Sequence, residues 1–277
     1  MTKPLVKSVL LAAGQGTRLR PYTDKQPKCM VPLADVPLLT YQRAVLRQAG
    51  VRDITIVAGY QASVIPVEDD RVVMNPRYDQ SNMVTTLFCA PDVFDGSADV
   101  LIAYTDIVYE PRVLEALLAC DASVAVTVDT NWQAYWQTRM ENPLTDAETL
   151  KLDNGGRILE LGKKPQSEAD IQAQYMGLIK IKASEAKKFL SVYQQLVSQN
   201  QKSPETYDGQ SFDNMYMTSF IQHLIDTNWP VQSVPVTNGW LEVDTVQDLE
   251  LYQQLQQEGK LKTFCDLAVL KCCLQEA

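Results

Sequence analysis

The residues best suited to chemistry lie between Leu10 and Leu33, where two glycines precede a run of cationic side chains. The segment is LLAAGQGTRLRPYTDKQPKCMVPL, and its cations are Arg18, Arg20, Lys25 and Lys28. Glycines let the backbone come close to an anion, and backbone N–H groups with nearby cations can neutralise phosphate charge. The segment therefore predicts a loop that binds phosphate groups.

Two common phosphate-binding loops do not fit this spacing. A dinucleotide-binding loop of the G-x-G-x-x-G type would need a third glycine where this chain has Leu19. No Gly-Lys-Ser or Gly-Lys-Thr follows Gly16, so the segment is not a P-loop either. On the glycines alone, a strand-to-helix turn beside a solvated basic loop explains the segment equally well.

The composition narrows the partners that this chain can bind. Its 277 residues include 25 Lys and Arg against 34 Asp and Glu, a formal net charge of −9 at pH 7. Proteins that bind nucleic acid or anionic membranes generally carry basic surfaces, so we expect neither partner. No apolar run approaches the roughly 20 residues that cross a bilayer, and Met1–Lys7 does not resemble a secretion signal. We expect a cytoplasmic protein, and whether it forms a homo-oligomer stays open.

Histidine and cysteine are poorly placed for catalysis or zinc binding. His223 is the single histidine, and it lies in a largely apolar run that favours a structural role in a helix. The six cysteines form no C-x-x-C pair, so a zinc site of mixed Cys and His ligands is not expected. We expect reduced and mostly buried thiols.

Short apolar runs that end at glycine or aspartate predict the strands that would position the first set of candidates. The predicted strands are Val6–Leu11, Asp53–Ala58, Arg71–Met74, Asp99–Tyr104 and Ala122–Val128, and the predicted helices are Leu38–Ala49, Ser81–Ala90 and Pro111–Ala119. This alternation predicts βαβ crossovers and a largely parallel sheet in an α/β protein. Ligands of such sheets bind beyond the carboxyl ends of the strands, so Gly14, Gly59 and Asp106 should line one crevice.

The second half of the chain has a different pattern. The turn-forming segment Asp153–Gly156 predicts a hairpin between Leu150–Leu152 and Arg157–Leu161. Further strands are predicted at Met176–Ile181 and Val231–Val236, and helices at Lys182–Val197, Asp213–Asp226 and Thr245–Gln257. Without repeats or linkers, we expect a single domain over residues 1–262, with halves 1–128 and 129–262. Residues 263–277 are expected to form a tail with a short appended helix.

Together with later segments, the glycine loop resembles the signature of the nucleotidyltransferase family of sugar-phosphate and phosphocholine type, G-x-G-T/S-R-L-x-P followed by P-K. The segments that resemble the later family elements are Thr105-Asp106, Leu161-Gly162-Lys163-Lys164-Pro165, Tyr175-Met176-Gly177-Leu178-Ile179 and Trp240-Leu241-Glu242-Val243-Asp244-Thr245. Lys163 stands where many sugar enzymes have glutamate. The flanks Asn75–Leu87 and Glu242–Asp248 resemble the phosphocholine cytidylyltransferase-like branch most, which favours CTP.

This resemblance implies a Rossmann-like three-layer α/β/α sandwich of the GT-A-like nucleotidyltransferase type, with a mixed, mostly parallel central sheet. It implies a Mg²⁺-dependent enzyme that transfers a nucleoside monophosphate from an NTP to a small phosphorylated acceptor and releases pyrophosphate. Residues 1–128 would bind the nucleotide, and residues 129–262 the acceptor.

The catalytic roles come from the matching motif positions. Asp106 and Asp244 would hold Mg²⁺, which favours carboxylates together with phosphate oxygens. Lys28 would lie over the α-phosphate and the acceptor phosphate, and Arg18 over the β- and γ-phosphates. Taken singly, Asp106 would be a surface loop residue and Asp244 a helix N-cap. No general base is required, because a phosphate monoester with a second pKa of about 6 is mostly dianionic at neutral pH.

For the nucleotide, the resemblance places Ala12, Ala13 and Gly14 near the ribose and base, with Gly59 and Asn82 at the base edge. The nucleotide-binding candidates are Ala12, Ala13, Gly14, Gly16, Thr17, Arg18, Lys28, Gly59, Asn82 and Asp106.

The acceptor is the least determined partner. Lys164 is expected to hold its phosphate, and the other candidates for acceptor binding are Gly177, Arg139, Tyr175, Trp136, Trp240 and Glu242. An aromatic box for a quaternary ammonium and ordinary core packing are both open for Trp132, Trp136, Tyr175 and Trp240.

The polar segment Asn131–Leu150 is a natural place for a lid over the acceptor. Arg139 within it could pair with a carboxylate or phosphate, while Glu141, Asp146 or Asp213 could meet an amine. Phosphocholine, phosphoethanolamine, aminoethylphosphonate and phosphorylated amino-acid derivatives all stay open as acceptors.

Three other functions compete with this hypothesis. A sugar-1-phosphate nucleotidyltransferase would keep the fold and mechanism with another NTP. A glycosyltransferase would usually carry Asp-x-Asp, whereas Tyr104 precedes Thr105-Asp106 here. A non-catalytic nucleotide-sensing module should have lost a metal aspartate or the P-K lysine, and this chain keeps both.

Overall fold

In the computed structural model, which describes residues 5–276, short strands alternate with helices along most of the chain. The strands are β1 (Val6–Ala12), β2 (Pro32–Leu33), β3 (Val36–Pro37), β4 (Asp53–Ala58), β5 (Arg71–Met74), β6 (Asp99–Tyr104), β7 (Ile107–Tyr109), β8 (Val124–Asp129), β9 (Leu150–Leu152), β10 (Ile158–Leu161), β11 (Gln174–Ile181), β12 (Thr206–Tyr207), β13 (Gln210–Ser211), β14 (Val231–Val236) and β15 (Trp240–Glu242). The helices are α1 (Leu38–Gln48), α2 (Met83–Leu87), α3 (Pro111–Ala119), α4 (Trp132–Arg139), α5 (Ala183–Lys202), α6 (Met217–Asp226), α7 (Val246–Gln257) and α8 (Leu267–Glu276).

The central sheet has the strand order β14-β8-β11-β6-β1-β4-β5 within the described residues. Every neighbouring pair is parallel except the two pairs that β11 makes with β6 and β8. The predicted mixed, mostly parallel sheet is therefore confirmed. Ala12 pairs with Ala58 and Leu11 with Tyr104, so β1, β4 and β6 end together at one edge of the sheet.

Two hydrophobic layers cover the sheet, because alternate residues of a strand point to opposite faces. In β1, Leu10 belongs to the layer that includes α1, α3 and α8, whereas Val9 belongs to the layer that includes α2, α5 and α6. This is the expected three-layer α/β/α arrangement. No helix within residues 5–276 combines the length and the apolar character needed to cross a membrane.

Some predicted helix bounds are wrong, for identifiable local reasons. The helix predicted at Ser81–Ala90 is reduced to α2, because the Asn82 side chain accepts a hydrogen bond from the Met83 N–H and caps the helix there. The helix predicted at Asp213–Asp226 begins at Met217, after a 3₁₀ turn at Phe212–Asn214. In that turn the backbone carbonyl of Asp213 accepts a hydrogen bond from the Asn82 N–H at 2.9 Å. This bond anchors the turn to the start of α2.

The C-terminal segment is packed into the same core as the central sheet. Cys265, Leu267, Leu270 and Cys273 are buried in the hydrophobic layer that also contains α1. The short helix predicted in residues 263–277 is present as α8, and its apolar stripe faces α1. This helix therefore completes one hydrophobic layer.

Leu270→Ala should lower the free energy of unfolding by about 2–5 kcal/mol, because Leu270 is fully buried and its truncation leaves a cavity. Val269→Ala is the matched control, since the neighbouring Val269 side chain is 40% exposed and should change stability little. Urea unfolding followed by circular dichroism measures both. Equal losses in the two variants would contradict the packing of α8.

Candidate active site

A lysine whose side chain is 15% exposed holds two carboxylates together at the carboxyl edge of the sheet. Lys28 Nζ donates to Asp106 Oδ2 at 2.8 Å and to Asp244 Oδ1 at 2.7 Å. Burial favours the neutral amine, but the negative charges of Asp106 and Asp244 outweigh it and raise the pKa of Lys28 above its ordinary value. The ammonium therefore stays charged, and residues 216 positions apart along the chain share one site.

Backbone pairing explains how the two aspartates meet. Asp106 directly follows Thr105 at the end of β6, and the Thr105 hydroxyl donates to the Leu11 carbonyl at 2.7 Å. Strand β15 pairs antiparallel with β7, and beyond that ribbon the Val243 N–H donates to the Asp106 carbonyl at 2.8 Å. Asp244 is the next residue, so the ribbon delivers it beside Asp106.

The glycine loop brings the cations to these carboxylates. Gly16 has a φ of +61°, and a Cβ on it would lie 2.9 Å from the Lys28 Cβ, so a larger residue would displace the lysine. Arg18, in the 3₁₀ turn Thr17–Leu19, reaches Asp244 Oδ2 at 2.5 Å while its side chain stays 66% exposed. Lys28 is thus the interior cation and Arg18 the solvent-side cation of the same site.

A second ion-pair network fixes the segment that carries Asp244. The Arg139 guanidinium, only 3% exposed, contacts Glu242 at 2.7 Å and Asp248 at 3.0 Å. Asp248 in turn accepts hydrogen bonds from the Asp244 N–H at 3.0 Å and the Thr245 N–H at 2.8 Å. Thr245, and not Asp244, is the N-cap of α7, which leaves the Asp244 carboxylate free to face Lys28.

Charge and burial act against each other in this network. Burial favours the protonated form of Asp248, but hydrogen bonds and charge from Arg139 outweigh it and hold the pKa of Asp248 below its ordinary value. Burial likewise opposes the charge on Arg139, while its acidic and phenolic neighbours keep its pKa raised. The predicted contact of Arg139 with acceptor stays untested, and its guanidinium is engaged by protein carboxylates in this structure.

A cavity of about 130 Å³ lies beside Lys28 and Asp106. Of the predicted nucleotide-binding residues, Ala12, Ala13, Gly14, Lys28, Asn82 and Asp106 line it. Gly16, Thr17 and Arg18 lie in the adjoining loop, and Gly59 supports the wall because Tyr78 packs directly over it. Tyr78, Ser81, Thr86 and Tyr104 also line the cavity and were not singled out from the sequence.

A second cavity, of about 170 Å³, adjoins the first, since Met83 and Tyr104 line both. The predicted acceptor residues Trp136, Tyr175, Gly177, Trp240 and Glu242 line it. Gly177 has a φ of +77°, and a Cβ there would lie 2.7 Å from the Tyr104 ring, so only glycine lets β11 pass this close. We refer to these spaces, after the ligands that the sequence predicts for them, as the nucleotide pocket and the acceptor pocket.

Two predicted acceptor residues do not line the acceptor pocket. Arg139 lies behind its wall, and Lys164 is exposed just beyond β10. Local sequence does not separate Lys164 from the pocket, because side-chain exposure beside a hairpin depends on tertiary contacts of the neighbouring residues.

The tryptophans are largely packed against one another. Trp240 and Trp136 are 2% and 4% exposed, and their ring centroids lie 6.1 Å apart. Their indole N–H groups donate to Asp129 and Asp146, each at 2.9 Å. Trp132 is also buried and does not line the acceptor pocket. Core packing, one of the two open interpretations, therefore accounts for most of their surface.

The acceptor pocket contains an acidic residue that sequence inspection missed. Glu148 lines it together with Asp146 and Glu242, and burial followed by the charge of Asp146 raises the pKa of Glu148 to about 7. Of the earlier amine-binding candidates, Asp146 lines this pocket, whereas Asp213 pairs with Arg77 at 2.6 Å and Glu141 is exposed elsewhere. Nothing in the local sequence distinguishes Glu148 from Glu141, because both lie in a polar segment.

Comparison with known proteins identifies the family of this site. A family model described as the MobA-like NTP transferase domain matches residues 8–164. This chain belongs to that family. It is 37% identical to the CTP:phosphoglutamine cytidylyltransferase of Campylobacter jejuni over 255 residues, which are 89% of this chain and 98% of the relative. The chain is therefore a nucleotidyltransferase, and the predicted resemblance to cytidylyltransferases is confirmed.

Solved structures confirm the fold of this nucleotidyltransferase. A structure of CTP:phosphocholine cytidylyltransferase from Streptococcus pneumoniae matches with a TM-score of 0.65 at 21% identity, covering 92% of this chain and 100% of that chain. The inositol-1-phosphate CTP transferase of T. maritima matches with a TM-score of 0.68 at 18% identity, covering 96% and 100%. The expected GT-A-like nucleotidyltransferase fold is confirmed.

Arg139→Met should lower the free energy of unfolding by about 3–5 kcal/mol, because Glu242 and Asp248 would be left without their buried cation. Arg71→Met is the matched control, since Arg71 pairs with Asp92 at the surface and such pairs contribute about 0–1 kcal/mol. Urea unfolding at neutral pH measures the difference. If Arg139→Met lowers the free energy of unfolding no more than Arg71→Met does, the Arg139 network does not stabilise the fold.

Proposed function

We propose that this nucleotidyltransferase transfers a cytidylyl group from CTP to the phosphate or phosphonate of a small acceptor, with Mg²⁺ as cofactor. The observation that carries the proposal is the cluster of Lys28, Asp106 and Asp244 beside two adjoining pockets. Joining two phosphorus groups requires a site that cancels the repulsion between anions before they react. A partly buried ammonium between two carboxylates provides both kinds of charge at that place.

The carboxylates fit a magnesium ion. Asp106 Oδ1 is buried and has no hydrogen-bond partner in the part of the chain that is described, so it keeps a lone pair for a cation. No group of three or more His, Cys, Asp or Glu arranged to hold a metal occurs among residues 5–276. That suits Mg²⁺, which is generally held by one or two carboxylates with substrate phosphates and water. Asp106 and Asp244 would hold the ion, which would neutralise phosphate charge.

The proposed reaction exchanges one phosphorus–oxygen bond for another. An oxygen of the acceptor phosphate attacks the α-phosphorus of CTP, the bond to the β-phosphate oxygen breaks, and pyrophosphate leaves with the electron pair. The attacking oxygen is already deprotonated at neutral pH, because the second pKa of a phosphate monoester is about 6. The single histidine, His223, lies in α6 and has no required part in this step.

The protein residues supply position and charge. Lys28, held charged, would transfer its N–H donors from the carboxylates to the approaching phosphate oxygens, where negative charge accumulates in the transition state. Arg18 pairs with Asp244 on its solvent side and, in this proposal, would contact the outer phosphates. Lys164 is our candidate for the acceptor phosphate, and its exposed side chain requires movement toward the pocket.

The preference for CTP is supported by the full-length likeness to a relative named as a CTP:phosphoglutamine cytidylyltransferase. The acceptor pocket is small, which suits a compact phosphate or phosphonate such as phosphocholine, phosphoethanolamine, aminoethylphosphonate or a phosphorylated amino-acid derivative.

A matrix of substrates tests the proposal. Pyrophosphate release should be fastest with CTP, compared with UTP, dTTP, ATP and GTP, when each is paired with the small acceptors above and with hexose 1-phosphates. Mass spectrometry of the products should show a cytidylyl group joined to the acceptor. A preference for dTTP or GTP with a hexose 1-phosphate would instead assign the chain to the sugar branch.

Asp106→Asn and Asp244→Asn should each abolish Mg²⁺-dependent pyrophosphate release, because each removes a charged ligand while keeping the side-chain volume. Asp121→Asn is the control, since the Asp121 side chain is 91% exposed and pairs only at the surface with Lys182. Circular dichroism should show that all three variants are folded. Wild-type rates in either site variant would remove the metal assignment.

Lys28→Met should lower kcat by a larger factor than it raises the KM for CTP, because the ammonium is proposed to act most strongly in the transition state. Removing one transition-state donor of this kind typically costs about 10²–10³ in kcat. Steady-state kinetics at saturating Mg²⁺ provides the comparison. A variant with unchanged kcat and a raised KM would assign Lys28 to ground-state binding alone.

A further inference from the structure

The acceptor pocket is acidic and lacks a cation of its own. Its lining contains the carboxylates of Asp146, Glu148 and Glu242, and none of the described residues that line it is lysine or arginine. A carboxylate without a cation partner in such a space favours a positively charged ligand. The part of the acceptor that enters this pocket should therefore carry a cation.

Only one of the three carboxylates is available for that cation. Asp146 accepts the indole N–H of Trp136 at 2.9 Å, and Glu242 pairs with Arg139 at 2.7 Å. No hydrogen bond or ion pair engages the Glu148 carboxylate within the described residues, although its backbone is held on both sides by the Gln174 amide. The backbone of Glu148 is thus held in place, and its carboxylate has no cation partner among the described residues.

The aromatic walls are poorly disposed to replace a carboxylate. A quaternary ammonium is usually bound by open aromatic faces. Here the Arg139 guanidinium lies 5.5 Å from the centre of the Trp136 ring, so a protein cation already occupies that face. Trp240 is 2% exposed and packs against Tyr135, with the centroids of the two rings 5.4 Å apart. These two tryptophans therefore offer little open aromatic face, whereas Glu148 offers a carboxylate that can accept N–H donors.

We infer that Glu148 selects acceptors that carry a primary ammonium group, by accepting its N–H donors in a charge-assisted hydrogen bond. This inference rests on the proposed function, because it names the class of acceptor for the same site. A trimethylammonium group has no N–H to donate, so a quaternary amine would gain only the charge attraction. The acceptor would then be a small phosphate or phosphonate with an unmethylated amine.

The protonation of Glu148 gives a second, independent readout. Burial, and then the negative charges of Asp146, Glu242 and Asp208, raise the pKa of Glu148 to about 7. The other titratable groups that line the pocket are Tyr104, Tyr175 and Tyr216. Below pH 7 Glu148 is mostly protonated and cannot attract an ammonium, so the KM for the acceptor should fall as the pH rises through 7. An amine with a pKa near 10 stays charged throughout this range.

The test compares acceptors that differ only in N-methylation. One pair is phosphoethanolamine and phosphocholine, with the mono- and dimethyl intermediates, and the other is phosphoglutamine and its trimethylammonium derivative. We expect kcat/KM of the wild-type enzyme to fall with each methyl group added to the amine. The comparison is made in the pair of acceptors that the enzyme turns over faster. Glu148→Gln should raise the KM of the primary amine about tenfold or more and leave the KM for CTP unchanged, since it removes one charged hydrogen bond.

Two further variants separate recognition from structure. Glu148→Asp keeps the charge and should retain part of the preference for the primary amine, whereas a merely structural role would not follow the charge. Glu250→Gln, on the exposed face of α7, should leave every parameter unchanged. In Glu148→Gln the acceptor KM should fall less steeply as the pH rises through 7. The pH dependence that comes from ionisation of the acceptor phosphate should remain, because it is the same for both enzymes.

Calorimetric titration of the same acceptors makes the result independent of turnover. Tighter binding of the primary amine to the wild-type enzyme, lost in Glu148→Gln, supports the inference even if another NTP proves to be the donor. Tighter binding of the quaternary amine, or an unchanged preference in Glu148→Gln, overturns it. Cytidylyl transfer to hexose 1-phosphates alone would also overturn it while leaving the transfer reaction intact.

Discussion

The site depends on one partly buried ammonium that two carboxylates share. Lys28 Nζ lies within 2.8 Å of a carboxylate oxygen of both Asp106 and Asp244, so its positive charge offsets the repulsion between the two carboxylates. Removing Lys28 would leave the partly buried Asp106 carboxylate without a cation, which costs more than a surface pair contributes. The protein therefore holds a charge cluster in place. In the proposed reaction, phosphate groups would replace the carboxylates as partners of Lys28, and a cation would replace Lys28 as the partner of the carboxylates.

Meeting that constraint requires elements from both halves of the chain. Lys28 comes from the loop after β1, Asp106 from the end of β6, and Asp244 from the segment after β15. The parallel pairing of β1 with β6 sets the first two at one edge, and the β7–β15 ribbon adds the third. The Arg139 network then fixes the start of α7 behind Asp244. Packing far from the phosphates thus determines the spacing of the carboxylates.

Sequence reasoning predicted the strands of the sheet well, because each is a short apolar run with a strong stop signal. Val6–Leu11 and Asp99–Tyr104, for example, match β1 and β6 to within one residue. It placed helix ends less well, as at α2, where Asn82 both caps the helix with its side chain and donates its N–H to the Asp213 carbonyl, which joins segments distant in sequence. Periodicity within a segment carries no information about such a partner.

The same distinction applies to the candidate site. Lys28, Asp106 and Asp244 were predicted because each stands in a motif, and the structure brings them together. Glu148 was missed because its importance comes from what surrounds it, namely burial, two neighbouring carboxylates that already have partners and a pocket without cations. Arg139 was expected to face the acceptor, yet its partners are Glu242 and Asp248, which lie more than 100 positions away. A single sequence does not show pairings of that kind.

The two pockets differ in how their acidic groups are compensated, and this difference gives the site a direction. Beside the nucleotide pocket, the carboxylates of Asp106 and Asp244 are matched by Lys28 and Arg18, so the local charge is balanced and can accept phosphates together with a metal ion. In the acceptor pocket the Glu148 carboxylate is left without a cation. A molecule with a phosphate at one end and an ammonium at the other would satisfy both regions in only one orientation, with its phosphate toward Lys28. Binding in this orientation would align the acceptor phosphate with the α-phosphorus of the nucleotide. Such alignment is the main contribution to rate that a site without a general base can make.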